Sequence, residues 1–244
     1  MRLLIFGTGR VGKSIARYAS HLGIETSAAT HAMADTDRAL VADMIRKADI
    51  VAAAIPDDSL SAWRDKFAAE IGRRPAFHFS GALTIPGLRG YHPLYSFPVR
   101  PLAPEIMAGI AIAREEGAPP FAEVLPGAGN PEIVVRAEDR AYYHALAVLS
   151  GNFAAHIWNE AARGFAARFG VSPETILSSY LAGVVDRFRE NPLDSMTGPV
   201  ARRDALSVAA NRAALAGEPR LKALYEAFLA SAWPEAAADS EKAN

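Results

Sequence analysis

The chain opens on an uninterrupted apolar run, Leu3-Leu4-Ile5-Phe6, which stops at Gly7 and gives way to a helical pattern. A short apolar run bounded by glycine predicts a strand, and the change of period after it predicts a strand–turn–helix unit. The alternation continues. Ile24–Thr30 predicts a second strand, Asp37–Lys47 an Ala-rich helix, Ile50–Ile55 a third strand, Asp58–Ile71 a helix and Ala76–Phe79 a fourth strand, with later strands at Ala108–Ala113 and Ile133–Val135. Short strands alternating with helices imply a mostly parallel sheet. Between the fourth strand and the later ones, Ser80–Pro104 is rich in proline and predicts a long loop, which in α/β proteins commonly builds a site. From Glu138 the pattern is helical only. Asp139–Phe169 predicts a helix of roughly 45 Å at 1.5 Å per residue. Ser172-Pro173 opens another that Asn191-Pro192 closes, and Arg202–Ala216 and Pro219–Trp233 predict two more. The expected organisation is an α/β domain over 1–137, an all-α domain over 138–234 and a flexible tail over 235–244.

The turn after the first strand reads Gly7-Thr8-Gly9-Arg10-Val11-Gly12. Such spacing, between a strand and a helix, is a dinucleotide-binding signature. The first glycine permits the tight turn, the second lets the backbone approach a pyrophosphate, and the third lets the helix pack on the strand. Unpaired N–H groups and the partial positive charge of the helix N-terminus favour the phosphates. An acid about twenty residues further on would bind the ribose 2′-hydroxyl and mark NAD. Here the second strand ends Ala29-Thr30-His31-Ala32, with no acid before Asp35. Thr30, His31 and Arg10 are candidate donors to a 2′-phosphate, so NADP is the expected cofactor and NAD the alternative. The third strand ends Ile55-Pro56-Asp57, which is expected to line the nucleotide pocket, although Asp57 or Asp58 would also serve as a helix cap.

Charge and composition narrow the chemistry. The 244 residues carry 26 basic and 27 acidic side chains, and neither 1–137 nor 138–244 has the basic excess of a nucleic-acid or membrane-surface binder. There is no cysteine, which excludes disulfides, thiolate catalysis and cysteine-ligated metals. No uninterrupted apolar stretch is long enough to span a bilayer, so a cytoplasmic protein is the simplest expectation. Two histidines fall at or beyond the fourth strand. His78 reads first as a core residue, whereas His92, in Tyr91-His92-Pro93-Leu94-Tyr95-Ser96-Phe97, reads as a loop residue suited to acid/base work. Ser80 and Ser96 are candidate substrate donors. In the helical half Asn152, His156 and Asn159 share a face, and Thr197-Gly198-Pro199-Val200-Ala201-Arg202-Arg203-Asp204 would suit an anionic group. Asn152, Arg202 and Asp204 are therefore candidate substrate contacts. His144 lies on the same long helix, but no metal-ligand spacing occurs and no metal is expected.

Taken in order, the glycine turn, Ala48-Asp49-Ile50-Val51 through Asp58, His78-x-Ser80-Gly81-Ala82, His92-Pro93-Leu94-x-Ser96-Phe97 and Thr197 through Asp204 resemble one family along nearly the whole chain. It is the Rossmann-like family whose C-terminal half is a domain of unknown function, DUF2520. The chain departs from its pattern at Arg203, where glycine is usual. The resemblance implies an NAD(P)-binding domain and a helical domain similar to the C-terminal domain of 6-phosphogluconate dehydrogenase, with distant relatives in pyrroline-5-carboxylate reductase and prephenate dehydrogenase. His92-Pro93 is similar to the His-Pro element of the last of these. It further implies homodimerisation through the helical half. The resulting expectation is an NAD(P)-dependent oxidoreductase with His92 as acid/base, acting on a small polar, anionic substrate between the domains. The alternative is a nucleotide-binding regulatory or scaffold protein without chemistry, favoured by the lack of any lysine between Lys66 and Lys222.

Overall fold

The computed structural model describes residues 1–238, which form two compact units, Met1–Gly151 and the segment from Asn152 onward. The first unit is an α/β layer structure. Its elements are β1 (Arg2–Phe6), α1 (Arg10–His21), β2 (Glu25–Ala29), α2 (His31–Thr36), α3 (Arg38–Lys47), β3 (Ile50–Ala53), α4 (Asp57–Lys66), α5 (Ala68–Ile71), β4 (Ala76–His78), β5 (Arg89–Pro93), α6 (Pro104–Ala108), β6 (Ile112–Glu115), α7 (Phe121–Val124), β7 (Glu132–Val135) and α8 (Arg140–Val148). The seven strands form one sheet in the order β2-β1-β3-β4-β5-β6-β7, parallel throughout except between β5 and β6. This is the expected α/β architecture with a mostly parallel sheet.

Alternation along the strands divides the core in two. On one face Leu3, Ile5, Ile50, Ala52 and Phe77 pack with Ile15 and Tyr18 of α1; on the other, Leu4, Phe6, Val51 and Ala53 pack with α3 and α4. Phe6, Trp63 and Phe67 make a tilted aromatic cluster at the second face, with ring centroids 5.3–6.1 Å apart. Strands buried on both faces read as continuous apolar runs, which is why β1, β3 and β4 were legible.

Two segments in the later half of the sheet differ from expectation. The segment Ala108–Ala113 is split: α6 ends at Ala108, Gly109 closes it, and the strand begins only at Ile112. The predicted loop Ser80–Pro104 contains the strand β5, so His92 is a strand residue paired with Ala113. Proline at Pro93 masked it; the ring is tolerated because Pro93 is the last residue of the strand.

The expected long helix is continuous but not uniform. A π-helical turn at Leu149–Phe153 separates α8 from α9 (Ala154–Phe169). The division between units falls within that turn rather than at 137/138, because α8 buries Arg140 in the sheet unit. The second unit continues with α10 (Pro173–Glu190), α11 (Ala205–Ala214), α12 (Pro219–Ala232) and α13 (Pro234–Ala238). The start of the expected tail is thus helical, held by Arg212 donating to the Ala236 carbonyl at 2.9 Å; residues 239–244 lie outside the described residues. No helix among the described residues is long and apolar enough to cross a membrane.

The glycine turn makes a separable prediction. Gly7 has φ +109°, and a Cβ on Gly12 would collide with the Gly7 carbonyl, whereas one on Gly9 would meet no atom within 4 Å. Gly12→Ala should therefore cost about 1–3 kcal/mol in urea unfolding. Gly9→Ser, at a helix N-cap facing open space, should change stability by no more than about 0.5 kcal/mol.

Candidate functional site

Hydrogen-bond register sets the site's outline. Phe6 pairs with Ala53, Ala53 with His78, and His78 with Gly90, so the carboxyl ends of β1, β3 and β4 are level and His92 stands two residues further along β5. Ligands of open parallel sheets bind at this edge, where strand order reverses on either side of β1 and β3. The glycine turn opens there. Gly9 is the N-cap of α1, with no side-chain cap and no acid in the first turn, so the helix's first N–H groups are left for a ligand. Thr8, Gly9 and Arg10 are exposed, Val11 is half-buried, and the space over Gly9 is empty of protein atoms. A dinucleotide pyrophosphate fits this arrangement: a Cβ at Gly9 would occupy the cradle.

The remaining expected nucleotide contacts have local roles as well. Thr30 caps α2, its hydroxyl accepting from the Met33 N–H at 3.2 Å. His31 is exposed and faces Asp35 at 3.7 Å. Ile55 is half-buried and Pro56 exposed at the start of α4. Asp57 does not cap α4; its Oδ2 accepts from the Ser80 hydroxyl at 2.7 Å. Ser80 is 5% exposed, and its oxygen also accepts from the Leu83 N–H at 3.1 Å. A carboxylate at the start of α4 is thus tied to a hydroxyl just beyond β4.

His92 is the centre of a compact polar cluster. Its Nδ1 lies 2.8 Å from the Tyr143 hydroxyl, and its ring makes edge contacts with Tyr143 and His144 at centroid distances of 5.6 and 5.7 Å. Gly81 leaves room for this: a Cβ there would strike the His144 ring and approach His92 to 3.1 Å. Burial, then His144 and Arg140, lower His92 from 6.5 to about 4, with the Asp57 charge opposing. Burial pushes Tyr143 up to about 12. At neutral pH the pair is uncharged and shares one proton between oxygen and nitrogen. His78 is fully buried, accepts the Ser80 N–H at Nδ1 and is also lowered to about 4, so its proton lies on Nε2.

Tyr143, His144, Arg140 and Gly81 were not singled out for this role from sequence. The first three follow Glu138, where the pattern becomes helical, and only the i, i+3, i+4 spacing of Arg140, Tyr143 and His144 hinted at a shared face. Ser96 is exposed beyond β5 and is not part of the cluster. Asn152, Arg202 and Asp204 belong to the second unit. Asp204 caps α11, accepting from the Ser207 N–H at 3.0 Å and its hydroxyl at 2.6 Å, which hold its carboxyl below the usual range. Arg203 has φ +53°, the left-handed region, which accounts for the glycine usual at that position in the resembling pattern.

The lowered histidines make folding acid-sensitive with a defined sign. Both are neutral in the folded chain down to about pH 4 but titrate near 6.5 when unfolded. Their contribution is fully present above pH 6.5 and is lost as pH falls toward 4, at up to about 1.4 kcal/mol per pH unit for each. The pH dependence of the urea midpoint between 6.5 and 4 should be shallower in His92→Asn than in wild type.

Comparison with known structures agrees with this architecture. A Bacteroides fragilis protein provisionally described as an NADP oxidoreductase is 16% identical, with a TM-score of 0.74 over 95% of this chain and 97% of its own. A Thermotoga maritima protein is 21% identical, with a TM-score of 0.71 over 98% and 99%. Plasmodium falciparum pyrroline carboxylate reductase, solved with NADP bound, is 10% identical, with a TM-score of 0.58 over 98% and 97%. At these identities the likeness establishes the fold. Curated protein sequences give no match. The pattern of the domain of unknown function DUF2520 matches residues 107–232, more than half of the chain, and the chain belongs to that family.

Proposed function

We propose that this chain is an NAD(P)-dependent oxidoreductase, with NADP the preferred nucleotide, acting on a small polar, anionic substrate. The observation that carries the reading is the neutral His92–Tyr143 pair at the same sheet edge as the open glycine turn. Gly7 to Gly12 would hold the pyrophosphate, and Thr30, His31 and Arg10 a 2′-phosphate. The bound structure of the Plasmodium relative supports the choice of nucleotide. When bound, the nicotinamide supplies hydride transfer.

The chain's own residues manage the proton. Oxidation of a carbinol or amine releases a hydride and a proton, and the proton needs an acceptor near neutrality. With Nδ1–H donating to the Tyr143 oxygen, the lone pair on His92 Nε2 takes that proton. With the Tyr143 hydroxyl donating to Nδ1, the proton is on Nε2 and can be given to a developing alkoxide as the Tyr143 proton moves onto Nδ1, which leaves the Tyr143 phenolate to be reprotonated from solvent. The two tautomers let one pair serve either direction. Asp57 and Ser80, bonded to each other, would position the ligand beside it. A screen of hydroxy acids and cyclic imines, followed by nicotinamide absorbance, tests the reading. His92→Ala should lower turnover by about 10²–10⁴-fold with nucleotide affinity little changed. Unchanged turnover removes His92 from the mechanism, and nucleotide binding without turnover of any compound favours a regulatory protein.

The reading includes a cytoplasmic homodimer, and the second unit supports the dimer. Among the described residues its buried hydrophobic cluster consists of Val200, Val208 and Leu229, and none of the 18 residues of α10 is buried, although Ile176, Tyr180 and Phe188 are apolar and exposed on it. So small a core does not balance the entropy of ordering a helical unit, and a second copy of the chain would cover that surface. Light scattering should give twice the monomer mass, and Tyr180→Asp should shift the population toward monomer. A monomeric wild type would refute the dimer.

A further inference from the structure

Arg140, the first residue of α8, is 1% exposed. Its Nη2 donates to the Ser80 carbonyl, just beyond β4, while Nε and Nη1 have no hydrogen-bond partner among the described residues. The guanidinium lies against the backbone of Gly90 in β5: a Cβ there would stand 2.8–3.0 Å from Nη1, Nη2 and Cζ. The Gly90 N–H in turn donates to Oε2 of the buried Glu115 at 2.9 Å. Burial lowers Arg140 from its ordinary value, and Glu115, ahead of Tyr143 and Asp57, opposes that.

On stability alone this is a poor choice of residue. Removing a guanidinium from water costs several kcal/mol, each unpaired buried donor adds about 1–3, and an apolar side chain of similar volume is often neutral or better. What the guanidinium does supply is a rigid planar fork reaching two strands at once. Tyr143 and His144 follow it by three and four residues on the same helical face, and both rings meet His92.

We propose that Arg140 is a positioning residue: docked on Ser80 and Gly90, it fixes the first turns of α8 and thereby sets Tyr143 and His144 against His92. The inference rests on the reading of His92 as the proton-transfer group for its functional meaning, but its geometry is tested without turnover. The groups facing His92 are Tyr143, His144 and Arg140 from α8 and Asp57 from α4.

Nitrogen NMR of the histidine rings in Arg140→Lys, Arg140→Met and Gly90→Ala provides the test. Lysine keeps the charge but not the fork; alanine at 90 keeps the arginine but displaces it. If Arg140 positions the pair, all three variants lose the His92 Nδ1 hydrogen-bond signature, and the methionine variant raises the His92 titration midpoint by about one pH unit or more. The exposed His31 should be unmoved in each. If lysine preserves the wild-type signature and Gly90→Ala is silent, Arg140 acts only as a charge and the proposal fails. If the variants lose thermal stability with the Nδ1 signature intact, the role is packing alone and it fails equally. Should the methionine variant not fold, the lysine and alanine variants decide. Loss of turnover in His92→Ala is independent of all these outcomes, so the positioning claim and the catalytic one can fail separately.

Discussion

Everything at the sheet's carboxyl edge depends on how closely α1 approaches β1. The Gly7 carbonyl occupies the space a Cβ on Gly12 would need, and Gly7 itself turns through a backbone conformation that favours glycine. The approach places the unpaired N-terminus of α1 directly after the strand, next to the end of β3. Ser14 extends the constraint: its hydroxyl donates to the Arg10 carbonyl at 2.9 Å and accepts from the Leu102 N–H at 3.2 Å, fastening the segment after β5 to the same helix. A short stretch of chain thus fixes both a cradle for an anion and one wall of the surrounding loops.

Burial then sets the chemistry available beside that cradle. His78 and His92 stand close to the Arg140 charge in poorly solvated surroundings, and both are held neutral. An imidazole so lowered carries no imidazolium proton at physiological pH; it is a base, or a neutral donor that gives up its N–H only as the partner on its other nitrogen supplies another. Tyr143 is that partner, and burial keeps its own proton in place. The Asp57 carboxylate opposes the lowering of His92 and is itself occupied by Ser80. Proton-transfer capacity therefore belongs to the group of side chains rather than to one histidine.

The parts of this picture legible in the sequence are those governed by local pattern. β1, β3 and β4 are apolar runs bounded by turn residues, and the glycine spacing announces its turn. What escaped were features decided by distant packing. β5 carries a terminal proline inside a proline-rich segment, and its strand identity rests on pairing with β4 and β6. Arg140, Tyr143 and His144 lie in a helical pattern that continues into the second unit, so nothing local assigns them to the sheet; that follows from the Ser80 carbonyl and from the spaces left by Gly81 and Gly90. Asp204, a candidate substrate contact by sequence, caps α11 through Ser207.

The most direct measurement is a calorimetric titration of the full chain with NADPH and with NADH, repeated on Gly9→Ser. Saturable binding of one nucleotide per chain, tighter for NADPH and sharply weakened in the variant without loss of stability, is the predicted result. Absence of binding by either nucleotide would mean that the glycine turn serves only the packing of α1 on β1, and the oxidoreductase reading would be contradicted.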